Sequence, residues 1–250
     1  MPAPTTLTVG ASRGLGLELV KQLSKTPDQH IIATVRSPTD RIPKSDNITL
    51  LILDQSSPES VLAAASHDVE LDTLINNAAI GDDELLLRTT ESRLFEYVNT
   101  DILGPIQIVK VFLPALLACR TRKVVFISSE AGSLSLQVDI NFGFRGPYAV
   151  SKAAGNMVVV QLHNELREEG FKVVAVYPGI AGDGGMAPGE SASQASKVIQ
   201  KLQARDSTRL FNYDGTIVPW EGFMLRLRCV LIRAGVFTKA KVCCPREEKM

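Results

Sequence analysis

Short apolar runs recur along the chain and predict buried strands. Each run is rich in β-branched residues and is bounded by Gly, Pro, Asp, Asn or Ser. Continuous apolar runs are typical of parallel strands that are covered on both faces. The six predicted strands are Leu7–Val9, Ile31–Val35, Ile48–Leu53, Leu71–Ile75, Val124–Ile127 and Val173–Tyr177.

Helical periodicity fills several of the intervals between these strands. Leucines recur at every fourth position over Leu15–Leu23, and longer helical stretches cover about Glu91–Cys119 and Tyr148–Glu169. The first long stretch contains Pro105 and Pro114, which predict a kink or an internal break. Repeated strand–helix units predict an α/β fold, with a doubly wound parallel sheet of the Rossmann type and helices on both faces.

One domain over residues 1–220 is the economical interpretation, because no repeat or linker-like tract occurs before about residue 180. Residues 221–250 differ in composition, with seven Lys/Arg and three Glu, a net charge of +4. Their apolar positions fit neither the period of a strand nor that of a helix. We therefore expect this segment to be a basic tail outside the domain.

Composition and charge exclude several classes of protein. The 250 residues are 45% hydrophobic and carry 27 basic and 27 acidic side chains, so neither a disordered chain nor the basic footprint of a nucleic-acid binder is expected. Apolar stretches fall short of the ~20 residues needed to cross a bilayer, and the N-terminus lacks the pattern of a signal peptide. We expect no membrane span.

The cysteines and histidines give no support to a disulfide framework or a metal site. The four cysteines form no CxxC pair, and the three histidines are far apart in sequence. Free thiols without a secretion signal are typical of a reducing compartment, most simply the cytoplasm.

The first strand ends in a glycine-rich turn that opens a helix. Glycines let the backbone approach an anion, and a helix start offers unpaired N–H groups and a positive dipole end, so the turn predicts a dinucleotide phosphate site. An ordinary turn or close helix packing is the alternative for the glycines alone. The candidate contact residues are Gly10, Ser12, Arg13, Gly14, Leu15 and Gly16.

Charge near this turn predicts which dinucleotide binds. An NAD site usually presents an acid to the ribose 2′-hydroxyl after the second strand, whereas a 2′-phosphate is held by arginine. That strand is followed by Arg36, with no acid before Asp40, and Arg13 lies in the glycine turn. NADP is therefore predicted over NAD, with two solvated arginines as the alternative.

Tyr148 and Lys152 lie four residues apart at the start of a predicted helix and so project from one face. A free tyrosine has a pKa near ~10, and a neighbouring ammonium lowers that value by stabilising the phenolate. Such a pair suits general acid–base catalysis near neutral pH. A solvated pair on an amphipathic helix is the alternative.

Six motifs occur in order over residues 5–220. They are Gly10, Gly14 and Gly16 in the first turn, Asn76-Asn77-Ala78-Ala79 after the fourth strand, Asn99, Ser129 after the fifth strand, Tyr148 with Lys152, and Pro178-Gly179 after the sixth strand. Together they resemble the motifs of the short-chain dehydrogenase/reductases. The terminal Tyr213-Asp214-Gly215 and Pro219-Trp220 are similar to segments of small fungal and bacterial NADP-dependent ketoreductases.

The resemblance implies a catalytic tetrad of Asn99, Ser129, Tyr148 and Lys152. Tyr148 would pass a proton to a carbonyl oxygen, Lys152 would also hold the nicotinamide ribose, Ser129 would hydrogen-bond the carbonyl, and Asn99 would hold a water. Ser128 competes with Ser129 for its role.

The resemblance also implies further cofactor contacts and an assembly. A homodimer or homotetramer would form through the long helices that start near Glu91 and Tyr148. Asp54, whose alternative is a helix N-cap, would contact the adenine, and the remaining implied contact residues are Asn76, Ala78, Pro178, Gly179 and Ile180.

The sequence departs from the family pattern in three respects. Val9 stands where a threonine often braces the glycine turn, and Asp183 stands where a threonine commonly contacts the nicotinamide. Ser129 and Tyr148 are 19 residues apart, which is longer than usual, and the extra segment Ser135–Pro147 either borders the substrate or is a longer surface loop.

The leading functional hypothesis is an NADPH-dependent reductase of a ketone or aldehyde, with an apolar, bulky substrate. A catalytically silent dinucleotide-binding protein is the first alternative, which the departure at Asp183 and the atypical tail favour. A non-redox enzyme on the same fold, catalysing dehydration, epimerisation or ring closure, is the second.

Overall fold

One eight-stranded sheet forms the centre of the protein in a computed structural model that describes residues 3–26, 28–65, 69–141, 145–179 and 186–220. Strands β1 to β7 are parallel, which confirms the predicted sheet, and β8 pairs antiparallel with β7. The strand order is β3-β2-β1-β4-β5-β6-β7-β8. The strands are β1 Thr5–Val9, β2 His30–Val35, β3 Ile48–Ile52, β4 Thr73–Asn76, β5 Lys123–Ile127, β6 Lys172–Tyr177, β7 Leu210–Asn212 and β8 Ile217–Val218.

Helices cover both faces of this sheet. Along β5, Val124 and Phe126 join the core under α2, α4 and α5, whereas Val125 and Ile127 join the core under α1 and α6. Both faces of the central strands are therefore buried, which explains their continuous apolar runs. The helices are α1 Gly14–Leu23, α2 Pro58–Ala64, α3 Glu91–Tyr97, α4 Gly104–Ala118, α5 Gly146–Leu166 and α6 Pro188–Lys201.

The long helical stretch between β4 and β5 is interrupted at a place other than its prolines. A π-helical segment, Val98–Leu103, joins α3 to α4. Pro105 lies in the first turn of α4, where no N–H donor is needed, and Pro114 lies inside α4. The expected break therefore precedes both prolines, and π segments are frequent at functional sites.

The same stretch corrects the expectation that no apolar segment reaches the length of a membrane span. Glu91–Ala118 is 28 residues long and apolar enough to cross a bilayer by length and composition alone. Ile108, Phe112 and Leu116 on α4 are buried in the core under the sheet, as in the core helix of a folded domain. The segment is therefore weak evidence for a membrane.

Hydrogen bonds attach Pro219 and Trp220, the last described residues, to the segment that follows β5. The Ser133 hydroxyl donates to the Pro219 carbonyl, and the Leu134 N–H donates to the Trp220 carbonyl at 3.3 Å. Trp220 also packs against the core. Residues 221–250 lie outside the described residues, so the predicted tail stays a prediction.

Candidate active site

A cleft opens where the strand order reverses. β1 lies between β2 and β4, so the segments that follow these strands diverge at their carboxyl ends, the usual ligand position in doubly wound sheets. The cleft has a volume of about 300 Å³. Its lining residues include Gly10, Ser12, Arg13, Gly14, Arg36, Asp54, Asn77, Ala78 and Thr100.

The glycine turn is braced by side chains from two neighbouring segments. The Gly10 N–H donates to Thr34 Oγ1 at 3.1 Å, and Asn77 Nδ2 donates to the carbonyls of Val9 and Gly10 at 3.2 and 3.0 Å. Thr34 therefore supplies a bracing hydroxyl to the turn where Val9 has none. Spacing along the chain gave no signal for Thr34, because it lies on β2.

Two glycines in this turn are required by the geometry. Gly10 has φ +77°, and a Cβ there would lie 2.5 Å from Ala78 Cβ. A Cβ on Gly16 would lie 2.2 Å from the Gly10 carbonyl oxygen. These glycines let the turn, the loop after β4 and the start of α1 approach one another.

The start of α1 fits the phosphates of a dinucleotide. Its N-cap, Arg13, makes no side-chain capping bond, and its first turn contains no acidic residue. The terminal N–H groups and the positive end of the helix dipole therefore lie beside the cleft, with no anion supplied by the cap or by the first turn itself. Leu15, one of the predicted contacts, lies in this first turn.

Gly10→Ala is expected to lower the free energy of unfolding by about 1–3 kcal/mol, because alanine disfavours positive φ and its Cβ overlaps Ala78. Gly155→Ala is the matched control. Gly155 lies in α5 with open space around an added Cβ, so this change is expected to raise stability by up to about 1 kcal/mol. Urea denaturation measures both, and equal stability of the two variants would contradict the close approach.

Arg13, Arg36 and Asp54 meet along the same cleft, as the sequence predicted. Burial acts to raise the pKa of Asp54, but hydrogen bonds from Ser56 and the charge of Arg36 together hold that pKa below its ordinary value. Asp54 Oδ1 accepts from Ser56 N and Oγ at 2.9 and 2.6 Å. The N-cap of α2 is Ser57, so the alternative interpretation of Asp54 as a helix cap is wrong.

Tyr148 and Lys152 lie on one face of the first turns of α5. Lys152 Nζ is 5.4 Å from the centroid of the Tyr148 ring and donates to the Ile127 carbonyl at 3.2 Å. Lys152 is only 8% exposed, so its ammonium is held at the carboxyl end of β5 rather than in solvent. The predicted pairing of the two side chains is present in the structure.

The geometry separates the two serines that follow β5. Ser128 is buried, and its hydroxyl donates to Asn156 Oδ1 at 2.7 Å, which gives it a structural role. Ser129 is half-buried, and its Oγ accepts from the Ala131 N–H at 3.1 Å, while no described residue accepts its hydroxyl proton. Ser129 is therefore the better candidate to donate to a carbonyl.

Asn99 does not join this cluster through its side chain. It is exposed, and Nδ2 donates to the Ser56 carbonyl at 3.1 Å, on the α2 side of the cleft. Two residues further along the π segment, Asp101 is buried and accepts a hydrogen bond from Ser151, the neighbour of Lys152. The geometry therefore does not support the predicted role of Asn99, and Asp101 is a site residue that the sequence did not indicate.

Glu130 and Tyr177 form a pair beside the site that the sequence did not indicate. Burial raises the pKa of Tyr177, and the Glu130 carboxylate, to which its hydroxyl donates, raises it further. The phenols of Tyr148 and Tyr213 act on Tyr177 in the same direction. Glu130 directly follows Ser129, but Tyr177 comes from β6, so only the fold brings the pair together.

The remaining predicted cofactor contacts lie at strand ends. Asn76 ends β4, and its buried amide has no hydrogen-bond partner among the described residues. Pro178 and Gly179 are buried after β6, and a Cβ on Gly179 would lie 2.9 Å from the Tyr213 ring. Ile180 and Asp183 lie outside the described residues.

The extra segment before Tyr148 is tied to the loop after β4. Arg145 donates to both carboxylate oxygens of Asp83, at 3.0 and 3.1 Å. Residues 142–144 within this segment lie outside the described residues. A neighbouring cavity of about 420 Å³ opens beside Tyr148 and is lined by Arg13, Ala79, Ile80, Gly81, Asp82 and Arg93, a more charged set than the predicted apolar substrate would favour.

Comparison with known proteins agrees with this geometry. The family model for short chain dehydrogenases matches residues 4–195. An uncharacterized oxidoreductase of Saccharomyces cerevisiae is 33% identical over 85% of this chain and 96% of its own length. A short-chain dehydrogenase/reductase of Aspergillus aculeatus is 31% identical over 80% of this chain and 83% of its own length.

Solved structures extend the comparison to cofactor-bound proteins. The NADPH-bound carbonyl reductase from chicken fatty liver superposes with a TM-score of 0.80 and 27% identity, over 88% of this chain and 95% of that one. A putative short-chain dehydrogenase/reductase from Burkholderia multivorans with bound NADP superposes with a TM-score of 0.76 and 25% identity, over 88% of this chain and 100% of that one. Sequence and structure together establish that this chain belongs to the short-chain dehydrogenase family of oxidoreductases.

Proposed function

We propose that the protein reduces a ketone or aldehyde to an alcohol with NADPH, using Tyr148 as general acid. The observation that carries the proposal is the pairing of Tyr148 with the buried ammonium of Lys152, together with the cleft that the glycine turn, Arg13 and Arg36 line. The solved relatives that hold NADPH or NADP add support through their fold.

Each residue of the proposed site acts on the carbonyl or on the cofactor. Bound NADPH supplies the reducing equivalent, and the protein supplies binding, orientation and a proton. The Tyr148 hydroxyl gives its proton to the carbonyl oxygen, and the positive charge of Lys152 stabilises the resulting phenolate. Ser129 Oγ orients the same carbonyl by donating a hydrogen bond, and Lys152 holds the nicotinamide ribose.

The test is loss of NADPH absorbance against a panel of ketones and aldehydes, with Tyr148→Phe as the inactive control. Turnover that depends on Tyr148 supports the reductase. Tight NADPH binding with no turnover, and no difference in the Phe variant, would favour the silent dinucleotide-binding protein. Products that differ from their substrates by no two-hydrogen change in mass would favour the non-redox enzyme.

NADPH selectivity is proposed to rest on Arg36, with Arg13 second. A guanidinium binds a phosphate through charge-assisted, often bidentate hydrogen bonds, and both arginines line the cleft. Arg36→Asp is expected to weaken NADPH binding at least tenfold and NADH binding much less, as measured by fluorescence titration. Arg41→Asp, an exposed change outside the cleft lining, is the matched control. Equal NADPH and NADH affinities in the unmodified protein would refute the charge argument.

A homo-oligomer and a cytoplasmic location stay predictions. Apolar side chains exposed on α3, the π segment and α5, among them Phe95, Leu103 and Met157, support the proposed assembly through these helices.

A further inference from the structure

Asp101 is a buried carboxylate fixed at both oxygens. It lies in the π segment between α3 and α4 and is 6% exposed. Oδ1 accepts from the Ile80 N–H at 3.0 Å, and Oδ2 accepts from Ser151 Oγ at 2.9 Å. Ser151 Oγ is also 2.9 Å from the Tyr148 carbonyl oxygen, so the carboxylate is connected to the first turn of α5.

Asp101 and Lys152 line the same small cavity. The cavity has a volume of about 20 Å³, and its lining includes both residues together with Asn76, Ser128 and Ser151. A buried ammonium is strongly destabilised unless an opposite charge and hydrogen bonds compensate for lost solvation. Among the described residues, Lys152 Nζ donates to the neutral Ile127 carbonyl, and Asp101 is the carboxylate of the cavity lining on which the Lys152 charge acts.

The surroundings of Asp101 favour its protonated form more than water does. Burial raises the pKa of Asp101, and this effect outweighs the opposite effects of Lys152, the Ile80 N–H, Ser151 and Arg93. In the described part of the chain, the charged or titratable groups that act on it are Lys152 on α5 and Arg93 and Tyr97 on α3. Its charge is therefore more easily lost on acidification than that of an exposed aspartate.

We propose that Asp101 is the counter-charge of Lys152, a positioning residue that holds the ammonium in place and offsets part of its field at Tyr148. The proposal rests on the proposed roles of Tyr148 and Lys152. When ionised, Asp101 opposes the stabilisation of the Tyr148 phenolate by Lys152. When protonated, it leaves the Lys152 charge unopposed, so the acidity of Tyr148 depends on the ionisation of a second buried group.

Asp101→Asn tests this with little change in shape. The amide oxygen can accept from the Ile80 N–H, and the amide nitrogen can donate to Ser151 Oγ. Loss of the negative charge is expected to move the titration midpoint of Tyr148 to lower pH by up to roughly one unit, the order expected for one buried charge that acts through a partly shielded site. Phenolate absorbance measures it without cofactor or substrate, with the signal of Tyr148 isolated by subtracting the matching Tyr148→Phe protein.

Asp46→Asn is the charge-matched control, because Asp46 is exposed in a loop outside the site. In this variant the titration midpoint of Tyr148 is expected to stay unchanged. A wild-type midpoint in Asp101→Asn would overturn the proposal. The alkaline limb of the kcat/KM profile is expected to shift in the same direction. Suppose that Tyr148→Phe abolishes turnover, whereas Asp101→Asn keeps the wild-type midpoint of Tyr148 and the wild-type alkaline limb of kcat/KM. The counter-charge role then fails and the proposed function stands.

The reciprocal change gives a readout if Asp101→Asn does not fold. In Lys152→Met, loss of the ammonium removes an attraction that favours the carboxylate. Carbon-detected NMR of labelled aspartate is then expected to show one buried carboxyl titrating at higher pH than in the unmodified protein. No change in any aspartate midpoint would equally overturn the proposal.

Discussion

Tyr148→Phe is expected to lower kcat by roughly 10²–10⁴-fold, the usual effect of removing a positioned general acid. The change removes one oxygen and keeps the ring that lies 5.4 Å from Lys152 Nζ, so the packing of α5 is preserved. The Kd for NADPH is expected to stay within about twofold, because only Lys152 is assigned to the ribose. Steady-state kinetics on the best substrate of the carbonyl panel and fluorescence titration measure the two quantities.

Tyr97→Phe separates this chemical effect from a loss of stability. Tyr97 is fully buried, and its hydroxyl accepts from the Asp82 N–H at 3.0 Å. Removing that hydroxyl is expected to lower the free energy of unfolding by about 1 kcal/mol and to leave the kcat of the folded protein unchanged. A Tyr148→Phe rate within about threefold of the unmodified enzyme would end the assignment of the general acid.

Lys152→Ala is expected to impair both catalysis and cofactor binding. Loss of the ammonium removes the charge that stabilises the Tyr148 phenolate, so kcat falls by about 10²-fold or more. The same change removes the proposed donor to the ribose, so NADPH affinity falls about tenfold, the effect of losing a charged hydrogen bond. Lys110→Ala, an exposed change on α4, is expected to alter neither quantity.

The comparison between the two variants tests the division of roles. Tyr148→Phe should affect kcat alone, whereas Lys152→Ala should affect kcat and NADPH affinity together. Equal cofactor affinities in the two variants would contradict the assignment of the ribose to Lys152. Thermal unfolding of both proteins checks that truncation of the buried side chain at position 152 has not disrupted α5.

Much of the fold could be predicted because its central strands have a strong local signal. β5 and β6 lie between two helical layers, so nearly every residue in them is apolar. α2, β7 and β8 were not predicted, because elements of seven, three and two residues are too short to show a period. The 14-residue α6 was also missed, as its many Ser, Gln and Lys residues obscure a narrow buried stripe.

The residues of the candidate site also differ in how well the sequence predicted them. Gly10, Gly16, Tyr148 and Lys152 were predicted, because a turn and an i, i+4 pair are local arrangements that spacing alone defines. Asn99 was assigned from its place in a motif, but the π segment alters which residues face inward. An added residue in one helical turn rotates all that follow, and ordinary helical periodicity does not anticipate it.

The sequence by itself determined the order of the first six strands and of three helical stretches, the glycine turn at the first helix and the pairing of Tyr148 with Lys152 on α5. These features depend on side chains that are close in the chain, where spacing, backbone freedom and hydrophobic period act directly. Only the tertiary structure decided that Thr34 braces the glycine turn, that Glu130 meets Tyr177 and that Asp101 and Lys152 line one cavity. These contacts join different strands and helices, and their positions follow from how the layers pack on the sheet rather than from any local pattern.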